Sequence, residues 1–592
     1  MVPWSQPNGS SQAQPAGGVD REVGATLFVW GVWGMMTLGA VVFVARYGTN
    51  VPVWDDENIV PVLAGAQPIT WSWLWEQCNE HRIALPKLIL VWADRAMGRD
   101  VRAGMFLSVA ALSALAAGLL ALVGRFRGGP SAADAVFPIL LLHPGHATNL
   151  LWSIQFAFVL PTVLATAFLI PIAGRPGRPG VRTACGAGLA LVCLALSGGN
   201  GLVFVPPLGF WLLGSAWLEA RSPTPGGRRR AAGIALASVP GFVVAGLYFQ
   251  GWRRGIYPEA PGGITDRLRT ALQFLTGGLG APTEWGWPGS GVATAGAGVG
   301  AVVLLARAWW VRPEERTRIF GLVALLAGVL ALALAVGWGR GWAGDRAGFQ
   351  GRYVTLATPF WCWLAVTIRL YAPLAGGRVI AHGFFGLVCC LVWPNTEIGL
   401  RHGREAARNA RSLTQDIQDG KPPYRLIRQH TPYLHPSHDG AGRLLPIMRV
   451  GKIGPFAGLR DDPPFREVAL PVDPVASSLV RWDGATAQIT GVDPQITFAL
   501  PKPRYVAGIR LDYSHANPQG GPARFQLAWK NSSDRGYGED RRYANWNLPT
   551  GTDQRTTIWI DAVIDRFRVQ PDNQPGSFRF VGITLLIPEP AP

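Results

Sequence analysis

Residues 25–58 read ATLFVWGVWGMMTLGAVVFVARYGTNVPVWDDEN. The run 25–45 carries no charge and is long enough to cross a bilayer, which takes about 20 apolar residues. It is longer than a signal-peptide core and lacks a small-residue cleavage site, so it is read as a retained anchor. Asp55, Asp56 and Glu57 follow within a few residues. Carboxylates beside a bilayer are costly to desolvate, so such a cluster either sits in water or serves a cation or a substrate. Val51, Val53, Trp54 and Ile59 flank it, which holds the acids near a hydrophobic surface and argues against a merely solvated loop.

The rest of the chain fits this start. Of 592 residues, 49% are hydrophobic and only 15% charged, and the apolar residues come in blocks longer than a soluble core needs. Such blocks lie at 25–45, 103–123, 132–142, 154–173, 183–197, 202–218, 231–249, 291–310, 319–338, 353–371 and 379–393. They predict a polytopic α-helical membrane protein of about eleven spans, the third and fifth being short. The net charge of +17 would suggest nucleic acid on a soluble domain, but here arginines cluster in short loops, with no basic face interleaved with aromatics. The cause is topology, and no nucleic-acid partner is expected.

Alternate loops sort by charge. GRFRGGP, GRPGRPGVR, EARSPTPGGRRR, VRPEERTR and GGR are arginine-rich, which places them and the N-terminus in the cytoplasm of an inner or plasma membrane protein. The first loop (47–100), HPGHATNLLWSIQ, SGGNG, the long segment after residue 250, GRGWAGDRAGFQGR and everything beyond Pro394 then face outward. Residues 1–23 are polar and rich in Pro, Gly and Gln, the composition of a disordered tail. None of the six cysteines has metal-type or disulfide-framework spacing.

Beyond the membrane region (24–395), 396–464 reads as a helical and Pro-rich connector. Ala406, Ala410, Leu413 and Ile417 at helical spacing mark one amphipathic surface helix. From 465 to 592 short alternating strands separated by turns predict an extracytoplasmic antiparallel β-sandwich. It resembles the jelly-roll carbohydrate-binding modules of some membrane glycosyltransferases. The aromatics of its loops DYSHANPQGG and RGYGEDRRYANW are suited either to stacking on sugar rings or to packing as a structural cap.

In the first outer loop, WSWLWEQCNEHRIALPKL (71–88) places Trp71, Leu74, Trp75 and Cys78 at helical spacing. This predicts a helix in the membrane interface that ends by offering Glu80, His81 and Arg82 beside the acidic group. An acidic dyad after the first span, an interfacial helix, a second acidic and basic motif, many spans and an outer soluble domain together resemble the GT-C superfamily of polyprenyl-phosphate-dependent glycosyltransferases. Protein O-mannosyltransferases, lipid A aminoarabinose transferases and oligosaccharyltransferases belong to it. The resemblance covers roughly residues 25–395.

What the resemblance implies is sugar transfer at the outer membrane face from a polyprenyl-phosphate-linked donor to a glycan, lipid or protein acceptor, with inversion at the anomeric carbon. By match to the family's dyad, Asp55 or Asp56 is the candidate base, Asp55 preferred because it comes first. A carboxylate in a partly dry cleft suits removal of a hydroxyl proton. Glu57 and Glu80 are candidate ligands for a divalent metal, Mg²⁺ or Mn²⁺. His81, Arg82, Lys87, Arg340, Arg346 and Arg352 are candidates for the donor phosphate, to which an arginine fork makes paired bonds. The later arginines suit lipid headgroups equally. Trp54, His143, His146, Trp152, Gln155 and Asn200 are candidate cleft-lining residues. His143 and His146 read as a polar turn rather than a metal site, since Pro144 and Gly145 break any helix. GAGVG (296–300), inside an apolar run, reads as close helix packing. Two rival readings remain: a polymerase or ligase of lipid-linked glycans, and a transporter or flippase of lipid-linked sugars, which would want charges or broken helices near mid-span.

Overall fold

A computed structural model describes residues 17–126, 131–174, 177–223, 225–253, 263–518 and 521–589. Most of the N-terminal tail, parts of three arginine-rich loops, the stretch 254–262, the tip of DYSHANPQGG and the last three residues therefore lie outside the described residues.

Every apolar run becomes helical. Among the described residues nine helices are long and apolar enough to cross a membrane, from Glu22–Tyr47 to Ala375–Gln418. The two short runs complete the eleven: the fifth forms Val181–Ala195, and the third forms a 3₁₀ turn, Ala132–Ala135, running into Val136–Leu142. From Ala133 to Leu142 the third run is buried, and residues 134–146 run alongside the helix Tyr353–Tyr371. Asp134 pairs with Arg369 (3.1 Å), while His146 bonds Thr355 Oγ1 (2.8 Å). Fourteen residues of helix separate those partners, a rise of about 21 Å. Shielding by neighbours on all sides lets so short a segment cross that depth.

Tyr353–Tyr371 is the hub of the bundle, with 94% of its apolar window buried, and it carries no charge before Arg369. Close packing depends on glycine where the helices Val181–Ala195 and Gly227–Tyr248 cross: a Cβ on Gly188 would stand 2.0 Å from Ala237 O. The expected close packing at GAGVG does not occur. Gly296 and Gly300 have open space where a Cβ would be, and Gly298 has only Phe360 at ordinary contact distance.

One end of the bundle, here the proximal end, bears segment 47–100 and the sheet domain. Acids at the distal end are paired with arginines of the short loops: Glu219 with Arg178 (3.0 Å) and Arg230 (2.8 Å), and Glu315 with Arg318 (2.8 Å). From the proximal side an amphipathic helix, Ile264–Gly277, enters the bundle, its buried face running through Thr270, Gln273 and Phe274. In the sequence that stretch reads as part of a long loop.

Segment 71–88 departs from its expected form. The helix stops after five residues, Trp71–Trp75, and Cys78 lies instead in a tight turn, exchanging backbone hydrogen bonds with His81 (2.7 and 2.9 Å). Asn79 takes positive φ (53°) in that turn, a conformation asparagine tolerates. Trp71 and Trp75 stack at 5.8 Å, with Trp71 exposed.

The last span and the expected surface helix are one helix, Leu374–Gln418, about 68 Å long. The boundary expected at residue 395 therefore falls inside a continuous element. Ala410, Leu413 and Ile417 are buried as their spacing foretold, in a cluster with Val60, Leu63, Leu426 and Leu445. The connector is folded rather than extended, with helices Pro423–His430 and His438–Val450 packed into that cluster.

Strands β1 (Phe465–Leu470), β2 (Ala476–Ser478), β3 (Val480–Asp483), β4 (Thr486–Ile489), β5 (Gln495–Ala516), β6 (Ala523–Lys530), β7 (Arg542–Leu548), β8 (Gly551–Gln570) and β9 (Gly576–Pro588) form the C-terminal domain. They make one antiparallel sheet of order β3-β4-β9-β5-β8-β6-β7, with β1 added on β9 and β2 on β5. Bulges in β5, between Ala499 and Arg504 and between Val506 and Gly508, bend the long strands, and the sheet curls over a core that includes Phe498, Phe525, Trp529 and Phe567. This is the expected sandwich-like domain. Its β8 docks on the connector, where Asp439 accepts from Thr557 N (3.0 Å) and His438 Nδ1 from Trp559 N (3.1 Å).

Candidate active site

WDDEN forms a single 3₁₀ turn, Trp54–Asn58, and Asp56 is the residue that makes it. Its Oδ2 accepts from Val53 N (2.9 Å), closing the turn, and its Oδ1 accepts from Ile154 N (3.2 Å), tying the turn to the start of the fourth span. Asp56 is 1% exposed, and burial pushes its carboxyl up to about 7 against those two bonds. With both oxygens committed to backbone amides, Asp56 shapes the turn.

Asp55 is then presented in the other direction, half-buried. Burial raises its carboxyl above the usual range, Glu57 adding to the effect, while Asn79, which hydrogen-bonds it, and the nearby Arg352 and His435 oppose it. Trp54, which precedes it, is held in the left-handed region (φ 51°), where a bulky residue is strained. Its N donates to Leu434 O (2.9 Å) and its Nε1 to Pro432 O (2.8 Å), so the connector supports that conformation. Trp152 meets Trp54 edge-on at 6.3 Å and donates to Val53 O (3.3 Å).

Cations approach from the other side. Arg352 stands at the N-terminus of the hub helix, within electrostatic reach of both Asp55 and His81, and its Nε is buried without a hydrogen-bond partner. His81 accepts from Gly199 N at Nδ1 (3.3 Å), so in its neutral form the proton sits on Nε2, 3.9 Å from Glu80. Burial, with Arg340 and Arg352 adding, keeps its pKa low despite Glu80. Asn200, the residue after Gly199, is half-buried in the same turn. Glu80 pairs with Arg340 (3.2 Å) and keeps Oε2 buried with no partner.

The structure redistributes several roles. Arg82 is a clamp: Nε donates to Tyr248 O (3.0 Å), Nη2 to Gln250 O (2.9 Å) and Nη1 to Trp75 O. Lys87 is 1% exposed and donates to Trp73 O (3.2 Å) and Glu76 O (3.1 Å). Their donors are committed to carbonyls, so neither is arranged as a phosphate ligand. Arg346 pairs with Glu284 (2.9 Å). His143, His146 and Gln155 are buried in the bundle rather than lining an open cleft, and His146 is bonded at both ring nitrogens.

Glu57 and Glu80 do not converge either. Glu57 faces His435 (3.3 Å) and Glu80 faces Arg340, and among the described residues no three His, Cys, Asp or Glu side chains group as a metal site. A divalent ion needs several oxygen ligands on one point. The described residues do not fit one.

His435 is a residue that the sequence alone does not single out. Its Nδ1 accepts from Ser437 N (3.0 Å), leaving Nε2 to donate to Glu57. Three of the chain's nine histidines lie in HTPYLHPSH, a density that a mere spacer does not need.

No family model matches the chain and no curated protein matches its sequence. Among solved structures it is similar to the cryo-EM structure of the arabinosyltransferase EmbB from Mycobacterium smegmatis. The identity is 12% and the TM-score 0.29, over 94% of this chain and 64% of that one, so the chain spans less than two thirds of that protein's length. A likeness this slight carries neither fold nor function.

Proposed function

We propose that the chain is an integral-membrane glycosyltransferase that moves a sugar from a polyprenyl-phosphate donor to an acceptor hydroxyl on the extracytoplasmic face. The observation that carries this is a half-buried Asp55 at the proximal end of the bundle, with Arg352 at the start of the hub helix within electrostatic reach of both Asp55 and His81. A base and a cation a short distance apart are what displacement of a phosphate from an anomeric carbon asks of a protein.

In this reading Asp55 takes the acceptor's hydroxyl proton as the acceptor oxygen bonds the anomeric carbon. The bond from that carbon to the phosphate oxygen breaks, its electron pair leaves with polyprenyl phosphate, and Arg352 neutralises the developing charge. One displacement inverts the configuration. Asp56 is a positioning residue, and the unpartnered Glu80 Oε2 is an acceptor suited to a donor-sugar hydroxyl. The arginine-rich distal loops support a cytoplasmic N-terminus and an outer sheet domain. The acceptor is a glycan, a lipid or a protein.

Labelled sugar supplied as a polyprenyl-phosphate pool, with membrane extract as acceptor, tests this. Transfer by purified wild-type protein that disappears in Arg352→Gln is the expected result. Absence of transfer across the donor pool contradicts it.

A further inference from the structure

Segment 47–100 contributes to a recess that shares no lining residue with the candidate active site. Leu63, Gly65, Arg95, Gly98, Arg99 and Lys452 enclose about 480 Å³, within the range of small-molecule sites. Three of the six are cations from separate places: the end of the helix Ala84–Ala96, the turn after it, and the turn after His438–Val450. The chain brings like charges together here, which is unfavourable unless something negative joins them.

The nearest acids in the sequence are already placed. Asp100 is held by Arg102 (2.5 Å), and Asp94 is wholly buried. Each guanidinium is fixed by one bond, Arg95 Nη2 to Val62 O (2.9 Å) and Arg99 Nη1 to Gly451 O (2.6 Å), which leaves further N–H groups on each. Two anchored forks and one ammonium form a donor set for phosphate oxygens.

The location identifies the source of the phosphate. Arg99 stands three residues before the span that begins at Arg102. The helix that supplies Arg95 also exposes Trp92 (62%), and Met97, the residue that follows it, is exposed as well (47%). An exposed indole beside arginines at a span's end is the pattern of the headgroup layer. We propose that this recess binds a phosphate group, that of an anionic phospholipid headgroup in the leaflet at the proximal end.

The test uses the full-length protein in neutral detergent, titrated separately with phosphatidylglycerol, phosphatidylcholine and glycerol 1-phosphate and read by native mass spectrometry and melting temperature. Wild type should bind phosphatidylglycerol in preference to phosphatidylcholine. Each cation removed should weaken binding about five-fold, so Arg95→Gln/Arg99→Gln loses roughly 25-fold. Because that double variant also loses two bonds to carbonyls, Lys452→Gln serves as the second test, expected to lose about five-fold at unchanged ligand-free melting. Glycerol 1-phosphate binding with the same dependence on the variants would support the phosphate site while assigning it to a soluble ester. Equal binding of the two lipids with no binding of the ester, or variants that bind like wild type, would overturn it.

Discussion

Asp55, Asp56 and Asp94 are withdrawn from water to different degrees, and the degree separates what they do. Asp55 keeps part of its surface and opposes cations, which suits proton transfer. Asp56 is enclosed but satisfied by two amides. Asp94 is fully buried with neither oxygen in a hydrogen bond of good geometry, and burial, with Asp56 and Asp100 adding, pushes its carboxyl up to about 8. An unfolded aspartate titrates near 4. Between about pH 4 and 8 the folded state therefore holds a proton that the unfolded chain releases, and the contribution of this group to stability falls as pH rises through that window. Asp94→Asn should remove part of that decline: melting temperature near that of wild type at pH 5 and roughly 1–3 °C above it at pH 8.5. A variant melting curve that tracks wild type at every pH would contradict the assignment.

Among the elements, the five-residue helix Trp71–Trp75 is too short to be stable alone. Its carbonyl end is held by two cations, Arg82 on Trp75 O and Lys87 on Trp73 O, and Arg82 also grips the carbonyls that close the helix Gly227–Tyr248. One guanidinium thus fixes the turn bearing Glu80 and His81 to a span. Arg82→Lys cannot serve three carbonyls in different directions, so it should lower the melting temperature by several degrees and speed proteolysis within 71–83. Retained stability and protease resistance would show that the clamp is dispensable. The apolar runs were legible because bilayer length is a hard physical requirement, and Ala410, Leu413 and Ile417 because a 3.6-residue period survives without context. The fate of Arg82 and Lys87 was not legible, since spacing says nothing of which donors meet carbonyls. The short third run crosses only because its neighbours shield it, a fact of packing rather than composition.

At the scale of the molecule, the sheet domain, the connector and the first loop form one mechanical series. Asp439 and His438 fix the connector to β8, Leu434 and Pro432 hold Trp54, and His435 meets Glu57 across 378 residues of chain. The site is assembled from the first loop, the turn at Gly199, the start of the hub helix and the connector. Only the first of these was conspicuous in the sequence as an acidic run against an apolar one. Arg352 looked like five other basic candidates, and His435 was hidden in a segment whose prolines read as a spacer. In the proposed reaction everything turns on Asp55 as the base. Its most direct test is the pH dependence of sugar transfer by wild type, Asp55→Asn and Asp56→Asn at matched melting temperature. The expected wild-type rate falls on acidification with a midpoint above the ordinary aspartate value of about 4, because the base must be ionised and burial raises its pKa. Asp55→Asn should lose about 10²- to 10⁴-fold in rate. An Asp55→Asn protein that transfers sugar at the wild-type rate with the wild-type acid limb would contradict the account.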